Sequence, residues 1–142
     1  MSRPDLDALL NSLLPFAQQM IQKGGSFIPF GASLSATGEV AAVMGDVGKE
    51  TPDSEEVIDF LTSTFRRQAA EARIKASGVC LDVRTIPPGQ SEKTDAILAR
   101  LEHQDGETIE VYLPYRKGLL GRVKYGELFA TPGTPQVFVG VV

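Results

Sequence analysis

Apolar and polar positions along the chain follow two rhythms. Leu6, Leu9, Leu10, Leu13, Leu14, Ala17, Met20 and Ile21 recur at three- and four-residue intervals, the spacing of one helix face. Pro4 suits the first turn of that helix and Gly24-Gly25 its end, while Pro15 predicts a kink or a division into two short helices near Leu14. From residue 27 the period changes to two. Residues 27–35 and 39–45 alternate about Ala36-Thr37-Gly38, and with those residues as the loop Leu34 faces Val40, Ala32 faces Ala42 and Phe30 faces Met44. Pro29 and Gly31 mark the first of these strands as an edge strand or one carrying a bulge.

Helical spacing then returns. Thr51 reads as a cap, Pro52 as the first helical position and Asp53 and Glu55 as first-turn acids. Val57, Ile58, Leu61, Phe65, Ala69, Ala72 and Ala76 form the buried stripe, Arg66, Arg67, Arg73 and Lys75 complement the dipole at the far end, and Gly78 is the stop. Residues 79–86 read as a strand closed by Pro87-Pro88-Gly89.

The first loop pattern now repeats as Gln104-Asp105-Gly106 between residues 95–103 and 107–115. That register faces Leu101 with Ile109, Ala99 with Val111 and Ile97 with Leu113, and on the other side Arg100 with Glu110 and Leu98 with Tyr112. A Gly in third place suits a three-residue hairpin, which needs a left-handed residue there. Residues 122–130 and 136–142 supply one strand and room for another, with Gly126 a candidate bulge.

The pattern predicts a single α+β domain over residues 1–142. Its antiparallel sheet has five to six strands with two helices packed on it, in the order α-β-β-α-β-β-β. The same element order occurs in profilin-like folds, including roadblock and sensory modules, a likeness of topology that carries little function.

Composition narrows the partners. A net charge of −4 and a pI near 5.0 argue against nucleic acid, which needs a basic face. No run approaches the roughly 20 apolar residues of a membrane helix, and the early acids Asp5 and Asp7 do not suit a signal peptide. The expectation is a cytoplasmic protein with no membrane or nucleic-acid partner. One cysteine suits a reducing compartment, and one cysteine with one histidine argues against a zinc site; no cofactor is expected.

Chemistry is sparse. There is no nucleophile elbow, P-loop or dinucleotide fingerprint. His103, at the tip of the second hairpin beside Glu102 and Asp105, reads as an exposed turn residue, or as a general base if a carboxylate orients it. Cys80 reads as a buried small hydrophobe. Asp82 and Arg84 share one face of their strand, as a cross-strand ion pair or as the lining of a polar pocket. The densest cluster is Tyr112, Tyr115, Arg116 and Lys117, followed by Arg122, Lys124 and Tyr125. It reads either as an edge strand guarded by cations or as a contact surface for an acidic partner or phosphate-bearing ligand. Phe27 to Phe30 offers a second apolar edge.

Two stretches together, residues 25–32 and the run from Asp95-Ala96-Ile97 through Leu101-Glu102-His103 to Val111-Tyr112-Leu113-Pro114-Tyr115, resemble a loosely defined group of small bacterial proteins of unknown function. The resemblance covers most of the chain, implies a free-standing bacterial cytoplasmic domain and brings no catalytic residues.

The leading expectation is a non-enzymatic protein-interaction domain and homodimer, adapter-like or immunity-like toward a basic partner. The alternative is a small anionic-ligand sensor in which Arg84, Arg100, Tyr112 and Arg116 converge between sheet and helix. An enzyme using His103 or Cys80 is the third reading.

Overall fold

Helix α1 runs unbroken from Arg3 to Gly24 in the computed structural model, which describes residues 2–45, 47–48 and 52–139. Leu6, Leu9, Leu13, Ala17 and Ile21 are buried along one side, and Gly25 caps the end in a left-handed conformation with its N–H on Ile21 O. Pro15 lies inside the helix without dividing it in two. It faces solvent, and the buried stripe packs on both sides of it, offsetting the lost helical hydrogen bond.

Strands β1 (Phe30–Ser35) and β2 (Val40–Met44) pair in the register that the alternation predicts. The same holds for β4 (Thr94–His103) and β5 (Thr108–Lys117). Gly38 and Gly106 adopt φ of 93° and 99°, the left-handed values the two loops require. The two similar loops also share a neighbour. Ala36 N–H donates to Arg73 O and Gln104 N–H to Lys75 O, so both hook onto the segment that starts β3 (Ile74–Thr85).

Helix α2 spans Ser54–Ala70, with Asp53 as its cap accepting from Glu55 N–H. Pro52 therefore precedes the cap; Thr51 lies outside the described residues. The expected continuation to Ala76 does not form. Ala72 turns the chain at φ 57°, and residues 74–78 join β3, whose ladders with β1 and β4 outweigh the helix propensity of the alanines.

The sheet order is β2-β1-β3-β4-β5-β6, with β6 (Val123–Tyr125) and β7 (Phe129–Pro132) dividing the outer side of β5. β1 is internal, which corrects the edge alternative, while the bulge alternative is met by a register shift against β3 at Leu34/Ser35. Tyr112 to Lys117 are not an edge either, because β6 and β7 cover β5. Residues 136–139 form no strand; 140–142 lie outside the described residues.

Both faces of the sheet are covered. α1 packs with Phe30, Ala32, Leu34, Ala76, Cys80, Ile97 and Ala99 on one side. On the other, Val57, Leu61 and Phe65 of α2 pack with Val79, Leu81, Leu98 and Val137. Val137 belongs to a strap, residues 136–138, that lies beside α2.

Candidate functional site

The strap is held by one carboxylate. Glu102, buried on the α2 side of β4, accepts N–H groups from Gln136 (2.7 Å), Val137 (2.8 Å) and Phe138 (2.5 Å). Arg66 Nε donates to Gln136 O at 2.5 Å, and Thr108 Oγ1 to Gly133 O at 3.0 Å. Between strap, sheet and α2 lies a cavity of about 260 Å³, lined in part by Thr62, Ser77, Arg100, Thr108 and Glu110. Arg100 is paired with Glu110 at 3.2 Å, so its charge is already met.

His103 faces the opposite side and is only 5 % exposed, not an open turn residue. Nε2 lies 2.8 Å from Asp5 Oδ2, and Nδ1 accepts Asp105 N–H at 3.1 Å. Nδ1 also lies 3.2 Å from Asp105 Oδ1, so a carboxylate stands beside each ring nitrogen. Lys75 Nζ adds an ion pair to Asp5 at 3.5 Å, and Ser2 Oγ donates to Glu107. The cluster pins the start of α1 to the hairpin that the sequence left free.

This cluster makes the N-terminal contact acid-sensitive. The His103 hydrogen bond holds the Asp5 carboxyl below its usual 3.8, opposed in part by burial and reinforced by Lys75. A lowered native pKa contributes stability that is present above 3.8 and lost as pH falls through the native value. Asp105 shifts in the same direction, chiefly through Glu107 N–H, whereas burial raises Asp82 and works in the opposite sense. The stability advantage of wild type over Asp5→Asn is therefore expected to hold steady near pH 5 and to shrink below 3.8, as read by urea denaturation across pH.

Cys80 is fully buried and its thiol is pushed up to about 12, chiefly by burial, so no thiolate forms at neutral pH. It pairs with Ala99, four residues along β4 from His103. Glu102, also considered as a partner for His103, points to the other face.

The sequence-predicted binding residues separate. Tyr115 is buried, its hydroxyl donating to Asp82 Oδ1 at 2.6 Å; burial raises both groups, and the hydrogen bond adds to the rise of Tyr115 while partly opposing that of Asp82. Tyr112 is half-buried and stacked on Phe129 at 4.7 Å between centroids. Arg84 is exposed and lies 3.9 Å from Asp95, on the α1 side with Cys80 and Asp82; Arg100 is on the α2 side. Strand alternation thus keeps the two arginines from converging. Arg116 and Lys117 are exposed at the end of β5, where Arg116 sits directly opposite Lys124 and Lys117 opposite Val123. A groove of about 480 Å³ borders Arg116, Lys124 and Tyr125, with Pro87, Pro88 and Phe129 on its other walls.

Two further surfaces were not singled out from sequence. β2 is the outermost strand on its side of the sheet and is solvent-exposed along most of its length. At the opposite edge, the turn Leu119–Gly121 between β5 and β6 holds Leu119 and Leu120 at 90 % and 96 % exposure. The readable signal for that tip was an apolar pair between Gly118 and Gly121, flanked by Arg116, Lys117, Arg122 and Lys124. Among the described residues, no helix is long and apolar enough to cross a membrane, and no three His, Cys, Asp or Glu are grouped to hold a metal. No protein-family model, curated protein or solved structure matches the chain.

Proposed function

We propose that this is a non-enzymatic interaction domain that pairs with a second copy of itself through β2. The observation that carries it is the strand Val40-Ala41-Ala42-Val43-Met44, an outer strand without charge or proline whose last residue is 57 % exposed. Edge strands of monomers are commonly blunted by Lys, Pro or a bulge, and β2 pairs with β1 without any shift in register. Antiparallel pairing centred on Ala42 sets Val40 against Met44 of the second copy, a self-complementary contact of the kind a two-fold dimer needs. Phe16 of α1 widens the patch: it is exposed and sits edge-to-face on Phe30, the cross-strand neighbour of Met44.

The non-enzymatic part rests on how the reactive side chains are occupied. Both His103 nitrogens are engaged, Cys80 is buried as a thiol, and Glu102 is filled by three backbone N–H groups.

Sedimentation equilibrium is expected to show a dimer, and Ala42→Lys, which sets two ammonium groups face to face, to weaken it by about tenfold or more with the circular dichroism unchanged. A wild-type chain that stays monomeric at every concentration overturns the reading.

A second reading has one observation in its favour. Arg116 and Lys124 stand side by side at the 480 Å³ groove without an ion pair among the described residues, which suits a small anion.

A further inference from the structure

We infer that the β5–β6 hairpin tip is a peripheral docking element for an anionic lipid bilayer, with Leu119 and Leu120 entering the interface and Arg116, Lys117, Arg122 and Lys124 contacting acidic headgroups. The absence of a spanning run, noted from sequence, does not bear on such a contact, because a peripheral tip needs only a few residues at the interface.

Three observations converge on the tip. Leu119 and Leu120 are the most exposed large apolar residues described; the next leucine, Leu128, is 53 % exposed, and most of the others are buried. Leu120 also adopts φ 62°, a left-handed value that a turn fills at lower cost with Gly or Asn. Conformational cost and apolar exposure thus fall on one residue, a combination that favours an apolar environment outside the chain.

Charge is the second observation. The hairpin carries four of the chain's 14 Lys and Arg, although the whole is acidic at −4. Arg116 faces Lys124 directly across the ladder, a like-charge pair that destabilises an isolated hairpin. Among the described residues neither of them, nor Arg122, has an ion-pair partner.

The third is support from below. Gln22 Nε2 of α1 donates to Gly121 O at 3.3 Å, and Gly118 N–H donates to Arg122 O at 2.6 Å, so the base of the turn is held while its two side chains project. A projecting tip of this shape fits a deformable interface. A protein partner would need a concave apolar slot with an acidic rim cut to match. Cations beside projecting apolar side chains are the composition that binds the anionic leaflet.

The test is flotation of the full chain with phosphatidylcholine vesicles, with and without about one-third phosphatidylglycerol. Binding is expected only to the anionic vesicles and is expected to fall as salt is raised from about 0.1 M toward 1 M. Leu119→Ser with Leu120→Ser is expected to weaken binding by about tenfold or more, and both positions are open enough to leave the thermal melt unchanged. Leu119→Trp is expected to show a blue-shifted emission on anionic vesicles.

Failure to bind anionic vesicles at low salt overturns the inference. So does equal binding by the double serine variant, or loss of binding on Arg116→Glu with Lys124→Glu but not on the leucine changes, which would place an anion in the groove. A protein captured by wild type and lost by the double serine variant, with vesicles ignored, overturns it in favour of a protein slot. Tip docking does not depend on β2 pairing, so monomeric Ala42→Lys is expected to bind the same vesicles.

Discussion

Glu102→Ala is expected to lower the unfolding free energy by about 3–5 kcal/mol, among the largest effects of any single change in this chain. The carboxylate is buried and accepts three consecutive backbone N–H groups, so its removal leaves three donors without their partner and a void between β4 and the strap. A charged hydrogen bond is worth roughly 1.5–3 kcal/mol, and the sum is capped because residues 136–138 can lift away and meet water. Glu102→Gln keeps the shape but turns an amide NH2 toward backbone donors, at about 2 kcal/mol. Guanidinium denaturation gives both values. Increased hydrogen exchange at Gln136–Phe138 in Glu102→Gln, with the sheet amides unchanged, would show that the strap leaves first. A loss below about 1 kcal/mol for the alanine variant would mean that the strap contributes little to the fold.

The second large effect is a coupling. A methyl group added at Gly78 would stand 2.6 Å from Leu13 Cδ1 and 3.0 Å from Leu101 Cδ2, so α1 approaches β3 as closely as it does only because position 78 has no side chain. Gly78→Ala is expected to cost about 1–3 kcal/mol by overpacking. Leu13→Ala, at a fully buried position, is expected to cost about 2–5 kcal/mol by leaving a cavity. In the double variant the new methyl occupies part of the vacated space, so the cost should fall short of the sum by more than about 1 kcal/mol. Simple additivity would mean that α1 moves to accommodate each change separately.

Much of the sheet was readable because the relevant contacts are local. A Gly in third place of a short loop, with matching apolar alternation on both sides, determines a hairpin's register without reference to the rest of the chain. Both registers appear as the alternation predicts. What was hidden depends on distant residues. Residues 69–76 spell an alanine-rich helix in isolation, yet the helix ends at Ala70 and residues 74–76 become strand because β1 and β4 flank them. His103 reads as an open turn until α1 brings Asp5 from 98 positions away. Glu102 reads as a neighbour of His103 until the strap brings three N–H groups to it from more than 30 positions away. The candidate site shows the same division. Local composition marked the basic cluster, but sheet alternation and the stacking of Phe129 removed Tyr112 and Tyr115 from its surface. The Leu119-Leu120 pair has helical-core composition and the wrong surroundings, and only the course of the turn reveals it.

The central position of β3 and β4 sets a hierarchy of local opening. Their amides have a strand on each side and a covered face above and below, so Val79–Leu81 and Ile97–Ala99 should exchange with solvent only when the whole domain unfolds. β2 and β6, each with a neighbour on one side, can open in smaller and cheaper steps. The two surfaces assigned to contact therefore lie in the least protected parts of the chain, at opposite edges of one rigid centre. Occupation of either edge should appear as slowed exchange confined to that edge, which makes the amides themselves a map of what the domain has bound.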